Sequence, residues 1–255
     1  MEWSDRDAEN LLCQLLDIGE AMLADGAEVK RVEDTLIRMG RAAGAVRMSV
    51  FVITSSVVVT MGLADGRKLT QTRRILSPGG TDFEKLEAFN ALSRAYCKAP
   101  MPVSELAERV QSLKAETPSS RMLCLGSMLA AGSFALFFGG GPWDGMLAAA
   151  FAVLIFVLQR RLTSICPNKV IFNLLCALLT GMGICLCARL IPGLQADKIM
   201  IGDIMLLIPG IAMTNAVRDV LVGDTISGIM RLIETLLWAG SLACGFMIAI
   251  WLIGG

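Results

Sequence analysis

The 255 residues predict a multi-pass α-helical membrane protein with five transmembrane helices, preceded by a small cytoplasmic α+β domain. Two observations carry this fold class. Charge is unevenly divided: residues 1–120 hold 15 Lys/Arg and 17 Asp/Glu, the density of a water-exposed domain, whereas residues 121–255 hold only 8 and 6 between long runs of Leu, Ile, Ala, Met, Phe and Gly. Periodicity changes as well. Helical and alternating patterns give way to apolar stretches able to cross about 30 Å of hydrocarbon at about 1.5 Å per residue. The change falls at Thr117-Pro118-Ser119-Ser120, which separates a domain over 1–118 from a membrane domain over 119–255.

In the first domain, Ser4-x-x-Asp7 opens a helix whose apolar face runs from Leu11 to Leu23 and is broken at Asp25-Gly26. A second helix carries Val29, Val32, Leu36, Met39 and Ala43 on one side and ends near Gly44. Val46, Met48, Val50 and Val52 then alternate as a half-buried strand does, and Asp65-Gly66 joins extended stretches at about 56–63 and 67–74 as a tight hairpin. Thr81-x-x-Glu84 caps a third helix, and Pro102 with Ser104 begins a fourth through about 115. The opening Met1-Glu2-Trp3-Ser4-Asp5 reads as part of this domain rather than as a signal peptide.

Five apolar segments follow, at 121–140, 143–159, 170–190, 199–217 and 228–252. The second is short by this count. Arg121, Arg160, Arg161, Lys169, Arg218 and Arg231 share one side in this arrangement, against Arg189 and Lys198 on the other. The positive-inside bias therefore predicts a cytoplasmic N-terminus and an external C-terminus, with Trp143 and Trp251 at the outer interface.

Several function classes are unfavourable. There is no histidine, so neither Ser-His-Asp nor Cys-His catalysis is available, and no catalytic residue is assigned. Most of the eight cysteines sit in apolar segments as small hydrophobes, and Cys185-x-Cys187 has neither redox nor zinc spacing; no metal or cofactor is expected. Balanced charge argues against nucleic acid, and no Gly-x-x-x-x-Gly-Lys-[Ser/Thr] motif points to an ATP motor.

The most informative stretch runs from Ile204 to Asp219. Pro209-Gly210 interrupts an otherwise apolar helix; proline removes a donor and frees a carbonyl four residues back, which hydrocarbon does not satisfy. The break reads as a pathway lining, with a plain structural kink as the alternative. Thr214 and Asn215 supply a hydroxyl and an amide one turn later. Asp203 is either a proton-coupling carboxylate or a solvated helix end. Arg218 and Asp219 mark the membrane boundary or, with Arg231 and Glu234, form a cytoplasmic gate. Glu28, Arg31, Glu33 and Asp34 form the densest charge group of the first domain, read as surface ion pairs or as a contact with the membrane domain, and Gly26 allows the turn between the helices before them. Five spans without an internal repeat suggest one bundle awaiting another, by self-association or with a second protein.

These blocks resemble the threonine/serine exporter family in its short form. The matching pieces are Gly26-Ala27-Glu28-Val29-Lys30-Arg31-Val32-Glu33-Asp34, Asp65-Gly66 through Thr72-Arg73, Leu207-Ile208-Pro209-Gly210 through Asn215-Ala216-Val217-Arg218-Asp219, and Gly223 with Gly228-Ile229-Met230-Arg231-Leu232. Val29 and Lys30 depart slightly from the common pattern. The resemblance implies a subunit of a bacterial inner-membrane exporter of threonine and serine, working with a small membrane protein of the same family; the missing ATP motif points to an ion gradient or the solute's own gradient as the driving force. It also implies a dicarboxylate, succinate-like alternative. A membrane-anchored sensor or scaffold without transport is the competing reading from another class.

Overall fold

The computed structural model describes residues 5–75, 80–116, 119–162, 166 and 168–254. Ser4 of the expected first cap, and Thr117 and Pro118 of the expected boundary, lie outside them. The chain packs as two compact units, Met1–Thr117 with Ile211–Leu232, and Pro118–Gly210 with Ile233–Gly255.

The first unit is built from α1 (Asp5–Ala24), α2 (Val29–Ala42), β1 (Arg47–Ile53), β2 (Ser56–Gly62), β3 (Lys68–Arg74), α3 (Phe83–Lys98) and α4 (Val103–Ala115). The strands form one antiparallel sheet in the order β1-β2-β3, with Val52 opposite Val57, Val50 opposite Val59 and Met48 opposite Met61. Because side chains alternate along a strand, this register puts Val52, Val57, Val59 and Met61 on the covered face. Val46 precedes β1 and is exposed, so the alternation begins at Met48. The hairpin turns where expected: Gly66 has φ +88°, and Leu63 N–H donates to Arg67 O at 2.9 Å.

Helix α1 packs against α2, α3, α4, β2 and β3, and Leu11, Leu12, Leu15, Leu16, Ile18 and Met22 are all buried. Burying such a side chain contributes about 1.5–3 kcal/mol, so this helix organises the core. The cap of α3 differs by one residue from the expectation. Asp82, not Thr81, is the N-cap, and its carboxylate accepts from Lys85 N–H at 3.0 Å.

Glu33 ties α2 to the sheet by accepting from Val52 N–H at 3.2 Å. Burial pushes its carboxyl above the ordinary value of 4.5, and Val52 N–H only partly opposes this. A raised carboxyl pKa means that the folded state holds the proton more tightly. Stability is therefore lost as pH rises from that ordinary value through the folded one. Glu33→Gln keeps an acceptor for Val52 without the charge. Its melting temperature is expected to exceed that of the parent at neutral pH and to converge with it near about pH 4, where glutamate is protonated. Equal melting curves at both pH values would contradict this.

The second unit contains α5 (Ser120–Phe137), α6 (Pro142–Leu162), α7 (Lys169–Leu190), α8 (Ala196–Ile204) and the later part of α10 (Thr225–Ala249), which continues into a π-helical turn over Ile250–Gly254. Its polarity is inverted relative to the first unit. The interior mixes small side chains, Ala131, Ala135, Ala148, Ala152 and Ala177, with Ile184, Ile199, Leu242 and Phe246, while Met122, Leu129, Phe137, Trp143 and Met146 are exposed. Water would reject that surface and lipid would not, and small interior residues let helix backbones approach closely. The Cβ that Gly202 lacks would lie 2.5 Å from Ala131 O of α5.

Among the described residues four helices are long and apolar enough to cross a membrane: Ser120–Phe137, Pro142–Leu162, Lys169–Leu190 and Thr225–Ile253. A fifth spanning helix is not among them, and two segments differ in form from the expectation. The segment expected to be short, 143–159, is part of a 21-residue helix. The segment expected to span as 199–217 is instead two helices, α8 of 9 residues and α9 (Gly210–Leu221) of 12. Pro209 has no N–H to donate, and Gly210 N–H reaches Ile208 O at 2.9 Å, two residues back rather than four.

Candidate solute pathway and its charged neighbours

Within the second unit, α8 packs against α5, α6 and α7 and carries Asp203 into the interior. Asp203 has no exposed surface, and neither carboxylate oxygen has a hydrogen-bond partner among the described residues. It is not a solvated helix end. A buried carboxylate without partners is costly, and in membrane helices such groups mark solute or proton routes. Pro209 is half-buried and Gly210 exposed, directly after the turn that ends α8.

The loop before α8 is fixed by a residue that sequence reasoning passed over. Asp144, buried near the start of α6, accepts from Gly141 N–H at 2.7 Å and from Gln195 N–H at 2.9 Å. The signal was present: an acid in the first turn of a helix, just after Gly139-Gly140-Gly141-Pro142, is placed to accept from backbone N–H groups. At the other end of these helices Arg160 Nη1 donates to Ser120 Oγ at 2.9 Å, and the Lys169 ammonium stands 4.7 Å above the Trp238 ring.

Within the first unit, α9 docks on the turn between α1 and α2. Gly26 has φ +94°, a conformation that side chains rarely adopt, and a Cβ there would meet Thr81 at 3.2 Å. The turn presents the Gly26 carbonyl, which accepts from Asn215 Nδ2 at 3.0 Å. One turn later along α9, Arg218 Nη1 donates to Glu28 Oε1 at 2.7 Å. The remaining members of that motif divide: Lys30 pairs with Glu33 at 3.8 Å, while Arg31 and Asp34 are exposed.

The four residues expected as a gate are only partly brought together. Asp219 is buried, and its Oδ2 lies 3.2 Å from Arg231 Nη1, an ion pair whose angles fall outside hydrogen-bond geometry. Arg218 turns instead to Glu28. Glu234 stands further along α10, within electrostatic reach of Lys169. Thr214 is exposed, on a different side of α9 from the docked Asn215. Helices α9 and α10 meet closely at Gly228, where a Cβ would lie 2.7 Å from Val220 N and 2.8 Å from Ala216 O.

Comparison with known proteins decides the class. The profile of the family described as "Putative threonine/serine exporter" (ThrE) matches residues 14–253. The chain belongs to the threonine/serine exporter family. It is also 26% identical, over 234 residues covering 89% of this chain and 87% of the relative, to the "Probable succinate transporter subunit YjjP" of Klebsiella aerogenes. No solved structure matches the chain. The family is one of transporters rather than enzymes, and the apolar helices fit a multi-pass protein of the inner membrane.

Proposed function

We propose that this member of the threonine/serine exporter family is one subunit of an inner-membrane exporter of small polar metabolites, threonine and serine first, working with a second membrane subunit. The observation that carries the reading is the interruption at Pro209-Gly210 after α8, on which Asp203 is withdrawn from solvent without a hydrogen-bond partner among the described residues. Irregular backbone and an intramembrane carboxylate are tolerated where they line a solute route. In this reading α8, the break and α9 make a fifth crossing, about 14 Å and about 18 Å of helix at 1.5 Å per residue. The N-terminal domain, 1–118, is then cytoplasmic, the membrane domain is 119–255, and the C-terminus is external.

Asp203, Pro209, Gly210, Thr214 and Asn215 line the route, with Asp203 exchanging the coupling proton. Arg218, Asp219, Arg231 and Glu234 close its cytoplasmic end. The pairing of Asn215 and Arg218 with the turn of Gly26 and Glu28 supports a coupling of that gate to the N-terminal domain. A solute that takes the Asn215 amide releases the Gly26 carbonyl, so arrival and opening become one exchange of hydrogen bonds. The absence of an internal repeat, and the word "subunit" in the relative's name, support a second bundle supplied by a small protein of the same family or by another copy.

The relative's name favours one second reading, export of a dicarboxylate such as succinate. Release of labelled threonine, serine and succinate from vesicles, with and without the small family partner, separates the two. Asn215→Leu is expected to insert and fold yet lose transport. Removing the partly buried polar partner costs up to about 1–3 kcal/mol, so the rate should fall roughly five- to 150-fold. Parental rates in folded Asn215→Leu protein would overturn the role given to this residue.

A further inference from the structure

The first unit contains a groove of about 640 Å³, of whose charged lining the transport reading uses only Glu28 and Arg218. Helix α2 contributes Lys30, Arg31 and Arg38 to it, α3 contributes Arg94 and Lys98, and α9 contributes Arg218. Against these six cations stand two carboxylates, Glu28 and Asp34, in a chain whose net charge is zero. Glu28 is occupied by Arg218, and Lys30 leans on Glu33. Among the described residues no carboxylate lies within ion-pair distance of Arg31, Arg38, Arg94 or Lys98, all of which are exposed.

This arrangement costs the empty protein stability. Arg94 and Lys98 stand four apart on one helix, where like charges repel, and Arg31 and Arg38 face the same groove from the other helix. A solvated charged surface would mix its signs to relieve that repulsion. Concentrating one sign in a concave site focuses the field and favours an anion. Three arginines among the four residues outside ion pairs supply planar forks suited to carboxylate or phosphate oxygens. A zwitterion gains less here, because its ammonium enters the same positive field.

We infer that the groove between α2, α3 and the end of α9 is a binding site for a small anion bearing two or more charged oxygens, a dicarboxylate or a phosphate. Arg218 belongs to both this groove and the pair with Glu28, so the anion competes with Glu28 for the guanidinium of α9. The site stands whatever metabolite is exported, because its test needs no transport.

The test is calorimetric titration and thermal melting of the purified full-length protein at one ionic strength. Succinate and inorganic phosphate are the probes, threonine and chloride are the controls, and lipid nanodiscs with and without phosphatidylglycerol form a separate arm. At least one of the two dianions is expected to bind saturably and raise the melting temperature, with threonine and chloride without effect. Arg94→Gln and Arg38→Gln, both on exposed positions, should each weaken binding about tenfold and Arg94→Lys less, while the unliganded variants melt no lower than the parent. A shift seen only with phosphatidylglycerol, whose phosphodiester carries a single charge, and with neither dianion overturns the site as a receptor for a multiply charged small anion. Absence of saturable binding in every arm, equal binding of threonine, or binding undiminished in both glutamine variants overturns it.

Discussion

Arg231→Leu should be the most damaging single change in the first unit. Asp219 has a side chain only 1% exposed, and Arg231, 14% exposed, is its ion-pair partner at 3.2 Å. Asp224 and Glu28 add negative potential at the same place, so loss of the guanidinium leaves a buried charge among like charges. Breaking a buried pair from one side costs about 3–5 kcal/mol, most of it the penalty of the orphaned partner. Thermal or denaturant unfolding of the purified chain should show that loss, and Asp219→Asn in the same molecule should recover most of it. Equal stability of the single and double variants would mean that the pair contributes nothing.

Gly245→Leu is expected to have a comparable effect in the second unit, by sterics instead of charge. A Cβ at 245 would lie 2.6 Å from Leu174 O, 2.7 Å from Ala177 Cβ and 3.0 Å from Leu178 N, all on α7. Two of these are backbone atoms, which cannot rotate away, so α7 and α10 would have to separate along their contact. Overpacking typically costs about 1–3 kcal/mol and more where backbone must move. The variant should insert but aggregate or melt early in detergent, as size-exclusion profiles and melting curves will report. Gly240→Leu, where a Cβ would meet nothing within 4 Å among the described residues, is the matched control and should behave like the parent. Similar behaviour of the two variants would remove the packing argument.

Much of the local architecture is legible in the sequence because its causes act over a few residues. Asp65-Gly66 between two extended runs specifies a hairpin, since the turn needs a residue at positive φ and glycine supplies it. Pro209-Gly210 is recognisable as a break for the same kind of reason. Its consequence is larger than a bend, because the missing donor divides the segment into two short helices. The reverse holds for 143–159. The arginines at its end have the look of a terminus, yet helix α6 continues through them to Leu162, with Arg160 anchored to Ser120.

What the sequence alone determined is the division between a charged α+β part and an apolar helical part, the hairpin, the helix breaks and the family. All of these follow from composition, period and short motifs. Tertiary structure alone decided the partners. Asn215 meets Gly26 across 189 residues and Arg218 meets Glu28 across 190, and no local rule links positions so far apart. It likewise decided that Arg31, Arg38, Arg94 and Lys98 line one groove, although each is an ordinary surface cation in its own helix. The physical reason is the range of the forces. Backbone preferences and periodicity are set by neighbours along the chain, whereas a pair of charges is made only when folding brings distant segments within a few ångströms.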